Sequence, residues 1–144
     1  MNKICTDIEQ SKKLLELGIN VKTADMFWDT LFAKKPEAQV NNHHFIDEYD
    51  DEHRVPAWSL SVLMNFLPSE FTEKGEYSET TYRIDIRKYA LTDDVNIHQI
   101  AYGNYHWHDD GSHSWSDMIN SGEKEDLLDA VFQMVCWLLE NKKI

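Results

Sequence analysis

Apolar residues recur along this chain in two rhythms. In the last third, Leu127, Leu128, Val131, Met134, Val135, Leu138 and Leu139 form one broad stripe at helical spacing. Acids gather at the start, in Glu123-Lys124-Glu125-Asp126, where the helix dipole favours negative charge. Lys142 and Lys143 close the far end. The spacing predicts a helix over about 124–141. A second helical face is Leu60, Leu63, Met64 and Leu67, widened by Val62 and Phe66. Pro56 suits the first turn of such a helix, and Ser59 is an alternative N-cap. Pro68 disfavours helical geometry at Leu67 and ends the run. A buried helix is therefore expected over about 58–67, with the other elements packed around it. Near the start, Thr6-Asp7-Ile8-Glu9 fits a capping box with Thr6 as N-cap, and Gly18 sits where a left-handed C-cap belongs. That predicts a first helix over about 7–17.

The other rhythm has a period of two. Between Tyr77 and Tyr89, Tyr82, Ile84 and Ile86 alternate with Arg83, Asp85 and Arg87, as in a half-buried antiparallel strand. A next strand starts near Val95. There Ile97 and Ile100 are out of phase, which predicts a bulge or break around Gly103. Asp109-Asp110-Gly111-Ser112 is a turn signal between Asn104–His108 and His113–Met118. Thr23–Trp28 reads as a short strand or an extended arm. Residues 33–54 read as connection, with a turn at Lys34-Lys35-Pro36-Glu37 and a brief strand at His43–Ile46. Helices segregated from strands imply an α+β fold. The expectation is a single domain over residues 1–144, in which an antiparallel sheet of about three strands packs against about three helices.

Charge narrows the partners. The formal net charge is −12, and the three arginines (Arg54, Arg83, Arg87) form no basic patch. Such a field repels phosphate, so nucleic acid is not expected as a partner, whereas a basic protein is favoured. No apolar run approaches the ~20 residues of a membrane span, and Met1–Asp7 lacks the apolar core of a secretory signal, so the expected location is the cytoplasm. Cys5 and Cys136 form no CxxC pair and read as reduced thiols.

Candidate chemistry is sparse. His106 and His108 are two apart on a predicted strand. If residues 109–112 form a four-residue loop, His113 pairs across from His108 and all three imidazoles share a face beside Trp115. Three nitrogens with an open fourth position is the plan of a catalytic zinc site, against the alternative of a polar, aromatic-rich sheet face. The arrangement depends on register, since a slip of one residue scatters the set. Asp47, Glu48, Asp50, Asp51 and Glu52 lack the glycine and spacing of an EF-hand loop and read as a solvated acidic surface, open to a partner. The chain has no GxSxG, Walker or GxGxxG motif, so no catalytic residue, cofactor or resident metal is assigned. Five tryptophans (Trp28, Trp58, Trp107, Trp115, Trp137) read first as core, with an exposed recognition patch as the alternative for some, and a homo-oligomer stays open.

Three stretches carry a resemblance. They are Ser11–Gly18 running on through Thr23-Ala24-Asp25-Met26, then Pro56-Ala57-Trp58-Ser59-Leu60-Ser61, then Asp129-Ala130-Val131 with the ending Leu138–Ile144. In that order they are similar to a family of small uncharacterised proteins of Bacteroides-type genomes, often encoded in prophage-like or mobile elements. Where that family commonly has Asn-Pro-[Val/Ile]-Asp-Ala, this chain has the charged segment Glu123–Asp129. The resemblance implies a bacterial or phage accessory protein and carries over no functional residue. The expected function is thus non-enzymatic protein–protein binding, with a small metal-binding protein or enzyme using the 106–113 turn as the alternative.

Overall fold

The computed structural model describes residues 2–30, 37–40 and 54–144. The chain runs α1 (Ile8–Glu16), β1 (Met26–Asp29), β2 (Glu37–Val40), β3 (Arg54–Ala57), α2 (Leu60–Asn65), β4 (Glu70–Lys74), β5 (Glu79–Ala90), β6 (Asn96–Trp107), β7 (His113–Asn120) and α3 (Leu127–Glu140). The α+β class is as expected. The strands, however, form two antiparallel sheets, ordered β2-β1-β3 and β4-β5-β6-β7, instead of one sheet of three. The expected brief strand at 43–46 and the acidic run 47–52 lie outside the described residues, as do residues 34–36 of the expected turn.

α3 is the spine of the core. Leu128, Ala130, Val131, Met134, Val135, Cys136 and Leu138 are buried along it, each large aliphatic side chain contributing about 1.5–3 kcal/mol relative to exposure. Its N-cap is Asp126, whose carboxylate accepts from Leu128 N at 2.8 Å, so the helix starts three residues later than the charge pattern implied. One face of the large sheet packs on it through Ile100, Tyr102, Tyr82, Ile84 and Ile119. Phe71 joins the same cluster, 5.1 Å from Tyr102 and 5.5 Å from Tyr82 between ring centroids.

The expected helix at 58–67 is shorter than its apolar pattern. Ser59 is the N-cap of α2, and only Leu63 is buried within it. Pro56 does not open that helix. It lies in β3 and pairs with Phe27 of β1, on an edge of the small sheet where a missing N–H is tolerated. The anchor is Trp58 between the two elements, fully buried. Its indole donates to Thr23 Oγ1 at 2.9 Å, and its backbone N–H donates to Thr6 Oγ1 at 3.1 Å. Thr6 is therefore turned into the core and is not the N-cap of α1. Asp7 takes that role, in a capping box with Gln10.

Candidate functional site

The outer face of the large sheet carries the side chains that the core does not use. Three features build it. The first is the bulge. β6 and β7 pair as Tyr102↔Ile119 and then Gly103↔Asp117, so Met118 is the extra residue and the register shifts at Gly103, the expected place. The extra residue is in β7, however, and β6 pairs with β5 without a shift, so the Ile97–Ile100 phase does not arise from it. Gly103 has room for no side chain: the Trp115 ring lies over it, and an added Cβ would sit 2.9 Å from that ring.

The second feature is an ionic clamp. Arg87 donates to Asp85 at 2.7 Å, to Gln99 at 3.1 Å and to both oxygens of Asp117, at 3.0 and 2.6 Å. The two-pronged bond spans β5 to β7 across β6. It holds the Asp117 carboxyl below its ordinary pKa, aided by the Trp115 indole, and raises that of Arg87.

The third feature is a fork. β5 and β6 pair from Ala90↔Asn96 as far as Arg83↔Gly103. Beyond that point Glu79–Tyr82 pair only with β4, and Asn104–Trp107 only with β7. The sheet thus divides into two hairpin arms. A cleft of about 460 Å³ lies between them, lined by Glu79, Thr80, Thr81, Arg83, Asn104, Tyr105, Trp107 and Trp115.

Four rings collect on the β6–β7 arm. Tyr105 meets Trp115 edge to face at 5.1 Å and His113 at 4.9 Å, and Trp107 leans on His113 at 4.9 Å. These cross-strand pairs follow from the register Tyr105↔Trp115 and Trp107↔His113. Trp107 is 75% exposed and Tyr105 53%. The cations of this face already have acids beside them: Arg83 with Glu70 at 3.3 Å, Lys74 with Glu79 at 3.7 Å, and Arg87 as above.

The histidines do not converge as expected. His113 pairs with Trp107 and His106 with Ser114, because His108 belongs to the connection and donates its N–H to Ser112 O at 2.8 Å. The loop is one residue longer on that side, which sends His113 to the outer face and His106 to the opposite one. His108 Nε2 instead lies 2.9 Å from Ser114 Oγ on the exposed hairpin. Among the described residues, no group of three His, Cys, Asp or Glu is placed to hold a metal ion. Burial pushes both free thiols, Cys5 and Cys136, up to about 11, which disarms them as nucleophiles.

A second depression of about 520 Å³ lies by the N-terminus, between the β5–β6 turn and the start of α3. Its lining includes Lys3, Lys88, His98, Lys124, Asp126 and Asp129. Lys3 is already committed there: its N–H donates to Asp126 at 2.6 Å and its ammonium to Asp129 at 2.7 Å and Asp7 at 3.2 Å. Burial works against the Lys3 ammonium, yet those bonds raise its pKa overall. This depression joins the N-terminus to α3.

Sequence reasoning singled out the aromatic richness and the break at Gly103. It missed the clamp, because Arg87 and Asp117 are thirty positions apart and neither belongs to a motif. It also missed β4, whose polar sequence carries a single apolar residue, Phe71. Among the described residues, no helix is long and apolar enough to cross a membrane. In comparison with known proteins, the chain matches no family model, no curated protein and no solved structure.

Proposed function

We propose that this chain is a non-enzymatic accessory protein that acts by binding another protein through the outer face of its four-stranded sheet. The observation that supports the reading is the exposure of Trp107 and Tyr105 within a four-ring cluster, on a face whose cations are already paired. Aromatic side chains left in water have apolar area to bury, and interfaces draw on them for most of their affinity. The net charge of −12 selects a partner of opposite sign and speeds its approach. The setting that goes with this reading is the bacterial cytoplasm, in a prophage-like or mobile-element context, as the sequence resemblance implies.

The test compares capture by the unaltered chain with capture by Trp107→Ala. Trp107 is too exposed to matter much for folding, so the variant keeps its stability within about 0.5 kcal/mol. A basic protein held by the unaltered chain at low salt should be lost with Trp107→Ala and released by about 0.5 M salt. Retention that is indifferent to Trp107 refutes the reading.

A further inference from the structure

We propose that the fork between β5 and β6 is a slot for an added strand, and that it takes an extended, cationic segment of a protein partner. The inference deepens the docking reading above and rests on it.

The backbone supplies the argument. In β5, Ile84 N donates to Ser69 O at 3.0 Å, so the even-numbered residues turn their N–H and C=O towards β4 and the odd-numbered ones towards β6. In β6, His98 N donates to Lys124 O, and just past its end His108 N donates to Ser112 O, so the even-numbered residues of β6 face β7 and the odd-numbered ones face β5. Past Arg83↔Gly103, the two strands no longer pair. The N–H and C=O groups of Glu79, Thr81, Tyr105 and Trp107 therefore look into the fork from both sides, past the end of the β5–β6 ladder. Thr80 and Asn104 line the cleft as well, though their side chains belong to the opposite face of the sheet.

Two facing edges of this kind are satisfied by one type of occupant. An extended polypeptide offers N–H and C=O on both sides at strand spacing, about 4.8 Å from each neighbour. Its side chains on the outer face would lie against Tyr105 and Trp107. Lysine or arginine there gains from the indole ring and from Glu79, whose link to Lys74 is long and solvent-exposed. The charge of −12 favours that sign over any other.

The test is amide hydrogen exchange by NMR on the full chain, alone and with a blocked peptide of alternating valine and lysine about eight residues long. In the free chain, the amides of Thr81 and Tyr105 should exchange at least about 100-fold faster than those of Arg87 and Gln99, which lie in the closed part of the sheet. Peptide should slow both. A version N-methylated at alternate residues should bind at least about tenfold more weakly, because it cannot complete the ladder. Protection of Thr81 and Tyr105 in the free chain overturns the slot, since the fork would then be closed. Peptide that quenches tryptophan fluorescence but leaves those amides fast, or that tolerates N-methylation, overturns the slot and spares the docking face. Failure of the peptide to bind overturns the cationic strand, and the Trp107→Ala comparison still judges the docking face separately.

Discussion

Replacing Gly103 by alanine should cost far more than one methyl group normally does. The new Cβ would overlap the carbonyl oxygen of Ser116 and come within 2.9 Å of two atoms of the Trp115 ring. The ring could tilt away. The carbonyl cannot, because Ser116 is paired with Asn104 immediately beyond the bulge. Forcing a methyl into a packed site costs about 1–3 kcal/mol. With the backbone as the obstacle, we place Gly103→Ala at the upper end, about 2–3 kcal/mol. Total stability for a domain is about 5–15 kcal/mol, so the loss is a large share of it. At this chain length it corresponds to a fall of about 10 °C in melting temperature. Urea unfolding followed by circular dichroism reads the free energy, and near-ultraviolet dichroism reads the displaced Trp115. A loss under about 0.5 kcal/mol, with an unchanged tryptophan signal, would refute the steric argument.

Two further outcomes follow from the same contacts. Arg87→Ala should cost about 1 kcal/mol at neutral pH, since a two-pronged arginine–carboxylate bond is better than an ordinary surface pair. Asp117 has a lowered pKa in the folded chain, so its contribution is present above the ordinary carboxylate value and is lost as pH falls through the lowered one. The penalty of Arg87→Ala should accordingly shrink in acid below about pH 4, and unfolding curves that show a constant penalty would contradict it. Thr6→Val keeps the shape but removes the acceptor for Trp58 N and the partner of Ser11 Oγ, both buried. It should cost about 1–3 kcal/mol by thermal unfolding, and a neutral result would place those groups in water.

Much of the fold is legible where one rhythm dominates. α3 has an unbroken apolar stripe, and β5 alternates cleanly through Tyr82–Arg87. Errors arise where two local signals compete. Thr6 and Asp7 are both good caps, and what decides between them is Trp58, whose buried N–H needs the threonine hydroxyl. Pro56 suits a helix start by local preference, yet it lies in an edge strand because Arg54–Ala57 pairs with β1. The histidine site failed on a single residue of loop length, which no periodicity reports. The exposed aromatic patch was half legible. Five tryptophans point first to the core and only second to an exposed patch; the register of β6 on β7 puts Trp107 and Trp115 on the outer face, and Trp58 is the one fully buried among those described.

The divided sheet is the feature on which the functional reading stands, and cross-strand proton contacts report it directly. In an antiparallel ladder, the closely spaced pairs bring Cα protons together. A NOESY spectrum of the free chain should show strong Hα–Hα peaks for Ile84–Tyr102 and Ile86–Ile100, and none for Tyr82–Asn104 or Thr80–His106. Peaks of equal strength at all four pairs would mean that β5 and β6 stay zipped to their ends, with no cleft between the arms for a partner to enter.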